Sequence, residues 1–205
     1  MRPATRPGYC DATGASFASV GTDLRLRYEG YANNLWGSGP KPTERYGWSR
    51  IMPYADLHLG SNVRLFGQLI GAWADRSRLT KGPVDETGVD LLEGFAQLRL
   101  PGDGATWTLQ GGRQLVAYRS ERLIGLRFGP NVPLAFDGGL ARVEAGDWRV
   151  DAFFIRPVEN NLHGFDDRTD GGPRARGLYA TLALPQIGPR SGLDVYYIGF
   201  HRAAA

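Results

Sequence analysis

Lysine is almost missing from this chain, occurring only at Lys41 and Lys81, so arginine supplies nearly all of the positive charge. Cysteine is scarcer still: Cys10 stands alone in a polar N-terminal stretch, which excludes a disulfide within the chain. No apolar run approaches the ~18–20 residues that a membrane-crossing helix needs. The negative mean hydropathy also argues against helical insertion. It does not exclude a barrel, because only alternate residues of a spanning strand face lipid. A net charge of +3 is too mild for bulk attraction of nucleic acid. Residues 1–20 carry Arg2 and Arg6 but no apolar h-region and no small-residue cleavage site. The expectation there is a disordered segment without an export signal.

Signatures of catalysis are missing too. There is no GxSxG, no P-loop and no HExxH. His58, His163 and His201 lie apart, without the spacing of zinc ligands. Carboxylates are numerous, yet nothing singles out the two that a glycosidase requires. The run Asp166-Asp167-Arg168-Thr169-Asp170-Gly171-Gly172 places carboxylates before glycine, which suits a hard cation. Its spacing fits no EF-hand and the distal glutamate is missing, so a solvated loop is expected. Neither an enzyme nor a metal or cofactor site is expected.

What the chain does contain is alternation. Between residues 22 and 200 it reads as about nine strands joined by connections that are short and long in turn. Tight turns are expected at Gly60-Ser61-Asn62, Pro101-Gly102-Asp103-Gly104 and Gly146-Asp147. Long polar loops are expected near Gly30–Arg45, Asp75–Gly88, Ser120–Ala135 and Val158–Pro173. An up-and-down meander with all its long loops at one end is the signature of a transmembrane β-barrel. The first strand sets Leu24, Leu26 and Tyr28 against Asp23, Arg25, Arg27 and Glu29, which suits lipid outside and water inside.

Later strands repeat the pattern. Leu65, Leu69 and Trp73 oppose Arg64 and Gln68; Leu92, Ala96, Leu98 and Leu100 oppose Glu93, Gln97 and Arg99. Pro53 predicts a bulge or a strand end in the second strand. Gly111-Gly112 predicts a bulge that resets the phase of the fifth strand, Ala105–Tyr118, and turns Arg113 inward. Tyr28, Tyr31, Trp36, Tyr46, Trp48 and Trp73 at the long-loop end, with Trp107 and Trp148 beside short turns, read as interfacial girdles.

Several stretches, in order, resemble the alginate export family of bacterial outer-membrane barrels. They are Tyr54–Leu59 (YADLHL), Phe66–Leu69 (FGQL), Asp90–Phe95 (DLLEGF), Gly111–Gln114 (GGRQ), Glu121–Gly138, Val150–Val158, Gly177–Leu182 and Gly192–Gly199. The resemblance implies an eighteen-stranded transmembrane barrel in the bacterial outer membrane that exports an anionic polysaccharide through an arginine-lined constriction. It further implies the lipid bilayer and periplasmic polysaccharide-export proteins as partners. The chain would hold about half of those strands, as an N-terminal portion with one partial barrel domain over residues 21–205, truncated at its C-terminus.

The candidate substrate-binding residues are the lumenal arginines Arg25, Arg27, Arg99, Arg113 and Arg142, with Arg122 and Arg127 on a loop that folds inward. Guanidinium groups bind carboxylates in two-point fashion, and a polyuronate carries one on every sugar. Interleaved Asp23, Glu29, Glu93, Glu144 and Asp194 would hold the arginines in place. The same residues would also serve as cross-strand charge ladders of any barrel lumen, and a GC-rich genome would favour arginine equally. Two other functions fit the pattern less closely: a general or small-molecule porin, and a soluble all-β carbohydrate-binding or hydrolytic protein.

Overall fold

The computed structural model describes residues 15–32, 38, 43–75, 82–118, 121, 123–127, 129–188 and 191–202. Its strands are β1 (Phe17–Ala32), β2 (Thr43–Leu59), β3 (Val63–Asp75), β4 (Thr87–Gly102) and β5 (Ala105–Gln114). They continue with β6 (Phe136–Ala145), β7 (Trp148–Glu159), β8 (Arg168–Thr169), β9 (Arg174–Ala183) and β10 (Gly192–His201). All pairings are antiparallel, and the sheet runs β1-β2-β3-β4-β5-β6-β7-β9-β10, with the two-residue β8 attached to β7. The expected meander is therefore present, with one short strand added inside the Val158–Pro173 connection. β1, β2 and β4 are 16, 17 and 16 residues long, more than the ~9–11 that cross a bilayer.

The two faces differ as the alternation requires. Leu24 and Leu26 are 70% and 87% exposed, and Trp73, Trp107, Leu109, Trp148 and Leu178 share that outer face. The opposite face carries Arg50, His58, Thr108, Gln114 and Asp151, all buried. This inversion, apolar side bare and polar side covered, is unsuited to water and suited to hydrocarbon. Trp107 and Trp148 sit outward at the short-turn rim, as interfacial aromatics do. Tyr46 and Trp48 do not join the opposite girdle: they turn inward, 4% and 8% exposed, and pack with Ala74. Trp36 lies outside the described residues.

Three local expectations are corrected. β2 runs straight through Pro53, which lies opposite Thr22 of β1. Its pairing with β3 pauses between Ile51 and Tyr54 and resumes in the same register. Gln68 Nε2 donates to the Met52 carbonyl at 3.4 Å in that gap, so no bulge or strand end is needed. The β3–β4 ladder is irregular instead: Gln68 faces Glu93 but Leu69 faces Leu91, leaving Leu92 as the extra residue, and a second shift falls between Ile70 and Ala72. Leu92 is thereby turned inward, 3% exposed, against Met52, Ile70 and Ala72. At Gly111-Gly112 the register is continuous with both neighbours, from Gly102↔Ala105 to Gly94↔Arg113 and from Thr106↔Glu144 to Gln114↔Phe136. Arg113 therefore keeps the phase of Trp107 and Leu109 and is not turned inward.

Glycine at position 112 serves curvature. Its φ is +129°, and a Cβ there would lie 2.3 Å from the Gly94 carbonyl oxygen. Gly111, its neighbour, has nothing within 4 Å of a Cβ. Gly112→Val is expected to destabilise the sheet by roughly 1–3 kcal/mol, whereas Gly111→Ala is expected to be nearly neutral. Urea unfolding in detergent followed by tryptophan fluorescence would measure both, and equal midpoints for the two variants would contradict this account.

Candidate functional site

A buried charge on a concave inner face needs a partner, because water there is limited by the walls. The strands supply these partners across register. Arg64 on β3 clasps Asp56 on β2 through two bonds of 2.8 Å, and His58 Nε2 lies 3.2 Å from the same carboxylate. Arg142 on β6 and Arg149 on β7 both grip Asp151, at 2.7–3.0 Å and 2.8–3.2 Å respectively. Asp151 is 1% exposed, so two guanidinium groups neutralise one buried carboxylate. Losing both guanidinium groups would strand that carboxylate, at a cost of roughly 3–5 kcal/mol. On β1, Arg27 contacts Glu29, which also accepts from Tyr46 Oη at 2.5 Å.

The connection between β5 and β6 occupies the trough of this sheet. β5 stops at Gln114, four residues before the expected end, and Leu115–Tyr118 leave the sheet for the interior. Leu115 N donates to Glu93 Oε1 at 2.9 Å. Val116, Tyr118 and Ile124 pack against Phe153, Ile155 and Tyr179 of β7 and β9, with the Tyr118 ring stacked on Tyr179 at 4.4 Å. Val132 and Ala135 pack on the other side of the trough, with Met52, Ile70 and Leu92. One segment thus touches both flanks of the curved sheet. The long polar loop expected over Ser120–Ala135 is therefore corrected to an apolar inward segment; the overlooked signal was Ile124, Leu126, Val132 and Leu134, which a solvated external loop would not carry.

Asn131 fastens the crossing. It is fully buried, and its Nδ2 lies 3.0 Å from the Ser49 carbonyl, 3.1 Å from that of Asp85 and 3.2 Å from that of Trp73. The Asn131 carbonyl accepts from Arg50 Nη1 at 3.1 Å, that of Gly129 from Arg27 Nη1 at 2.7 Å, and that of Pro130 from Arg25 Nη1 at 3.4 Å. Three arginines of β1 and β2 therefore converge on three successive carbonyls. Charge-assisted bonds of this kind are roughly twice as strong as neutral ones.

The seven candidate arginines thus separate. Arg25 and Arg27 hold the inward segment, and Arg142 is committed to Asp151. Arg99 is exposed near the short turn Gly60-Ser61-Asn62, and its guanidinium makes no hydrogen bond or ion pair among the described residues. Arg127 is exposed on the inward segment at φ 50°, likewise without a partner among the described residues. Arg122 lies outside them. Arg113 is saturated: both Asp137 oxygens accept from it at 2.9 and 3.1 Å, as do the carbonyls of Leu91 at 3.1 Å and Asp167 at 3.5 Å. Arg50, Arg149 and Asn131 were missed as site residues. The period-two phase of β2 marks Arg50 as inward, whereas nothing in the sequence marks Asn131.

The 160–173 connection covers the part of β4 that outruns β5. Gly88 N donates to the Leu162 carbonyl at 3.2 Å, and Phe165 N to that of Val89 at 3.0 Å. This brings Asp166 and Asp167 to Asp90, with one carboxylate oxygen of each within 4.8 Å of the others. The expected solvated loop is instead docked, and Asp90 was not foreseen as its neighbour. Burial, and then the Asp90 charge, push the Asp167 carboxyl up to about 6.

The family model described as alginate export matches residues 16–202 of this chain. No curated protein and no solved structure matches it.

Asn131→Ala removes a buried amide whose two N–H donors are shared among three carbonyls and is expected to cost roughly 2–4 kcal/mol. Limited proteolysis should then cut the 115–135 segment first; an unchanged cleavage pattern would refute its fastening role. For Asp167 the sign follows from a folded value raised above the ordinary 3.8. The docked 160–173 connection is penalised above about pH 6 and relieved as pH falls toward 3.8. Hydrogen exchange in that segment, corrected for intrinsic rates, should therefore slow between pH 7 and pH 5, and Asp167→Asn should abolish most of the change.

Proposed function

We propose, since this chain belongs to the alginate export family, that it forms an arginine-bearing wall of an outer-membrane channel that passes an alginate-like polyuronate outward. The family is one of export channels of the outer membrane and not of enzymes. The observation that carries the finer reading is the concave inner face, rich in guanidinium groups and narrowed by the 115–135 segment.

The arginines contribute unequally to such a passage. Arg64 and Arg142 with Arg149 are neutralised locally by Asp56 and Asp151, so they shape the lumen more than its field. Arg99 and Arg127 add positive potential without a counter-ion among the described residues. Arg25, Arg27 and Arg50 cluster where the inward segment narrows the trough, with Asp23 3.6 Å from Arg50. Positive charge within low-dielectric walls concentrates an anionic polymer, and weak repeated sites let it move on. A carboxylate is a stronger acceptor than a carbonyl, so the polymer competes for the groups that now hold Gly129 and Pro130. The periplasmic export proteins are placed as suppliers of the polymer at the short-turn end.

Closure of the wall is part of the same proposal. β1 and β10 are each paired on one side only. With β8 set aside the path alternates direction, so β1 and β10 run the same way and could pair with each other only in parallel. Bacterial barrels close antiparallel, with even strand numbers, and bare strand edges in hydrocarbon cost several kcal/mol per group. The wall therefore requires antiparallel strands beyond β1 and β10.

The channel that contains this chain, measured in planar bilayers, should prefer anions. Arg99→Glu with Arg127→Glu should lower the anion-to-cation permeability ratio by roughly twofold or more without unfolding the wall, because neither guanidinium makes a hydrogen bond or ion pair among the described residues. Unchanged selectivity would remove the arginine-lined passage. Uronate oligomers should block conductance where neutral oligosaccharides of equal length do not; equal block would favour a general porin.

A further inference from the structure

On the outer face, β7 and β9 carry a second arginine cluster that the passage does not use, flanked by β6 and β10. Asp137 pairs in register with Arg156, and His201 with Arg174. Ile155 faces Ala175, which brings Arg156 and Arg174 to the next position of the same seam. One step nearer the short turns, Phe154 faces Arg176, which faces Gly199. Ala175, Tyr179 and Ile198 of these strands pack inward, so Arg174 and Arg176 point outward by alternation, and both are exposed. None of the three arginines makes an ion pair among the described residues, while Asp137, the carboxylate of that row, is engaged by Arg113 and by Thr169 Oγ1 at 2.6 Å. The Arg156 guanidinium lies 5.9 Å from the centre of the Phe154 ring.

The cluster has a defined height. It lies at the long-loop end of its strands, the external side of an outer-membrane barrel. Below it the outer face is apolar row by row: Ala152, Leu178 and Tyr197, then Val150, Ala180 and Val195, then Trp148, Leu182 and Leu193. Six residues separate Phe154 from Trp148, roughly 20 Å at strand rise, close to the ~25 Å apolar band of such barrels. Trp148 marks one rim and the arginines the other. Between the arginines a cavity of about 370 Å³ is lined by Phe154, Arg174, Arg176, Gly199, Phe200 and His201. Glycine at 199 leaves room that a side chain would occupy.

We propose that Arg156, Arg174 and Arg176 bind the phosphate groups of an outer-leaflet glycolipid, a phosphorylated and multiply acylated sugar whose chains lie over Leu178, Tyr197 and Val195. Guanidinium forks match phosphate oxygens two at a time. Cations at the rim of an apolar band, without an ion pair among the described residues, face just those anions in the external leaflet. The site rests on the outer-membrane reading given above.

The test is binding of fluorescent diphosphoryl lipid A to the detergent-solubilised chain, with dephosphorylated lipid A, phosphatidylglycerol and inorganic phosphate as the other probes. Wild type should bind diphosphoryl lipid A at least roughly tenfold more tightly than R156Q/R174Q/R176Q, about what one charge-assisted pair supplies. It should bind the dephosphorylated lipid no better than that variant does. If the triple variant fails to fold, as judged by its β-sheet circular dichroism, R174Q and R176Q singly should each still weaken binding several-fold. Equal affinity for the two lipids, equal affinity of the variants, equal preference for phosphatidylglycerol, or competition by millimolar inorganic phosphate would each overturn the site. A chain that stays in solution without detergent and binds no lipid would instead remove the outer-membrane reading, and the site with it.

Discussion

Polar groups tolerate a low-dielectric setting only when they are paired, and this one requirement organises the whole molecule. On the outside of the wall it drives the strand backbones into one antiparallel ladder. Where the ladder fails, something fills the gap. Gln68 reaches the Met52 carbonyl beside Pro53. The 160–173 connection pairs with Gly88 and Val89, where β4 outruns β5. Inside, the same requirement gives Asp56 and Asp151 their arginines; on the outer face it gives Asp137 its Arg113. The pairs themselves add little beyond what a well-packed apolar substitute would give, but breaking one would strand a buried charge.

The inward 115–135 segment follows from curvature. A sheet bent enough to have a trough leaves room over its concave face, and empty apolar room is unfavourable. The segment fills it with Val116, Ile124, Val132 and Ala135 on two separate clusters. Its backbone then needs acceptors and donors far from any ladder, and these come from Asn131 and from Arg25, Arg27 and Arg50. Arginine suits the task better than lysine: its planar fork reaches a carbonyl while keeping other donors for a neighbouring carboxylate. The scarcity of lysine thus acquires a structural reason on the inner face, where guanidinium groups bridge strand and segment.

Two arginine populations emerge, with different physics. Most of those facing the trough (Arg25, Arg27, Arg50, Arg64, Arg142 and Arg149) are woven into carboxylates and carbonyls, so their charge is largely spent on holding the wall. Those at the long-loop rim, Arg156, Arg174 and Arg176, stand over an apolar band and make no ion pair among the described residues, since Asp137 beside Arg156 is held by Arg113. Composition alone cannot separate these groups, since both are simply arginine at alternate positions of a strand. The face on which each lies decides its role, and one slip of phase exchanges them.

Much of this was legible beforehand. Period-two alternation gave the strands, their greasy outer face and the long-and-short order of connections, because lipid outside and water inside leave a mark at every second residue. Pairing order followed from the short turns. What alternation could not locate was where the phase breaks. The bulge lies at Leu92, an unremarkable leucine, and not at the suggestive pair Gly111-Gly112. That single difference moved Arg113 off the inner face and Leu92 onto it. Nor could the sequence show that Asn131 meets Ser49, Trp73 and Asp85, or that Asp90 meets Asp166 and Asp167, because these contacts join residues tens of positions apart. The amino-acid order determined which side of each strand is apolar; only the curved sheet, by bringing its two flanks within reach of one loop, decided what each buried charge would hold.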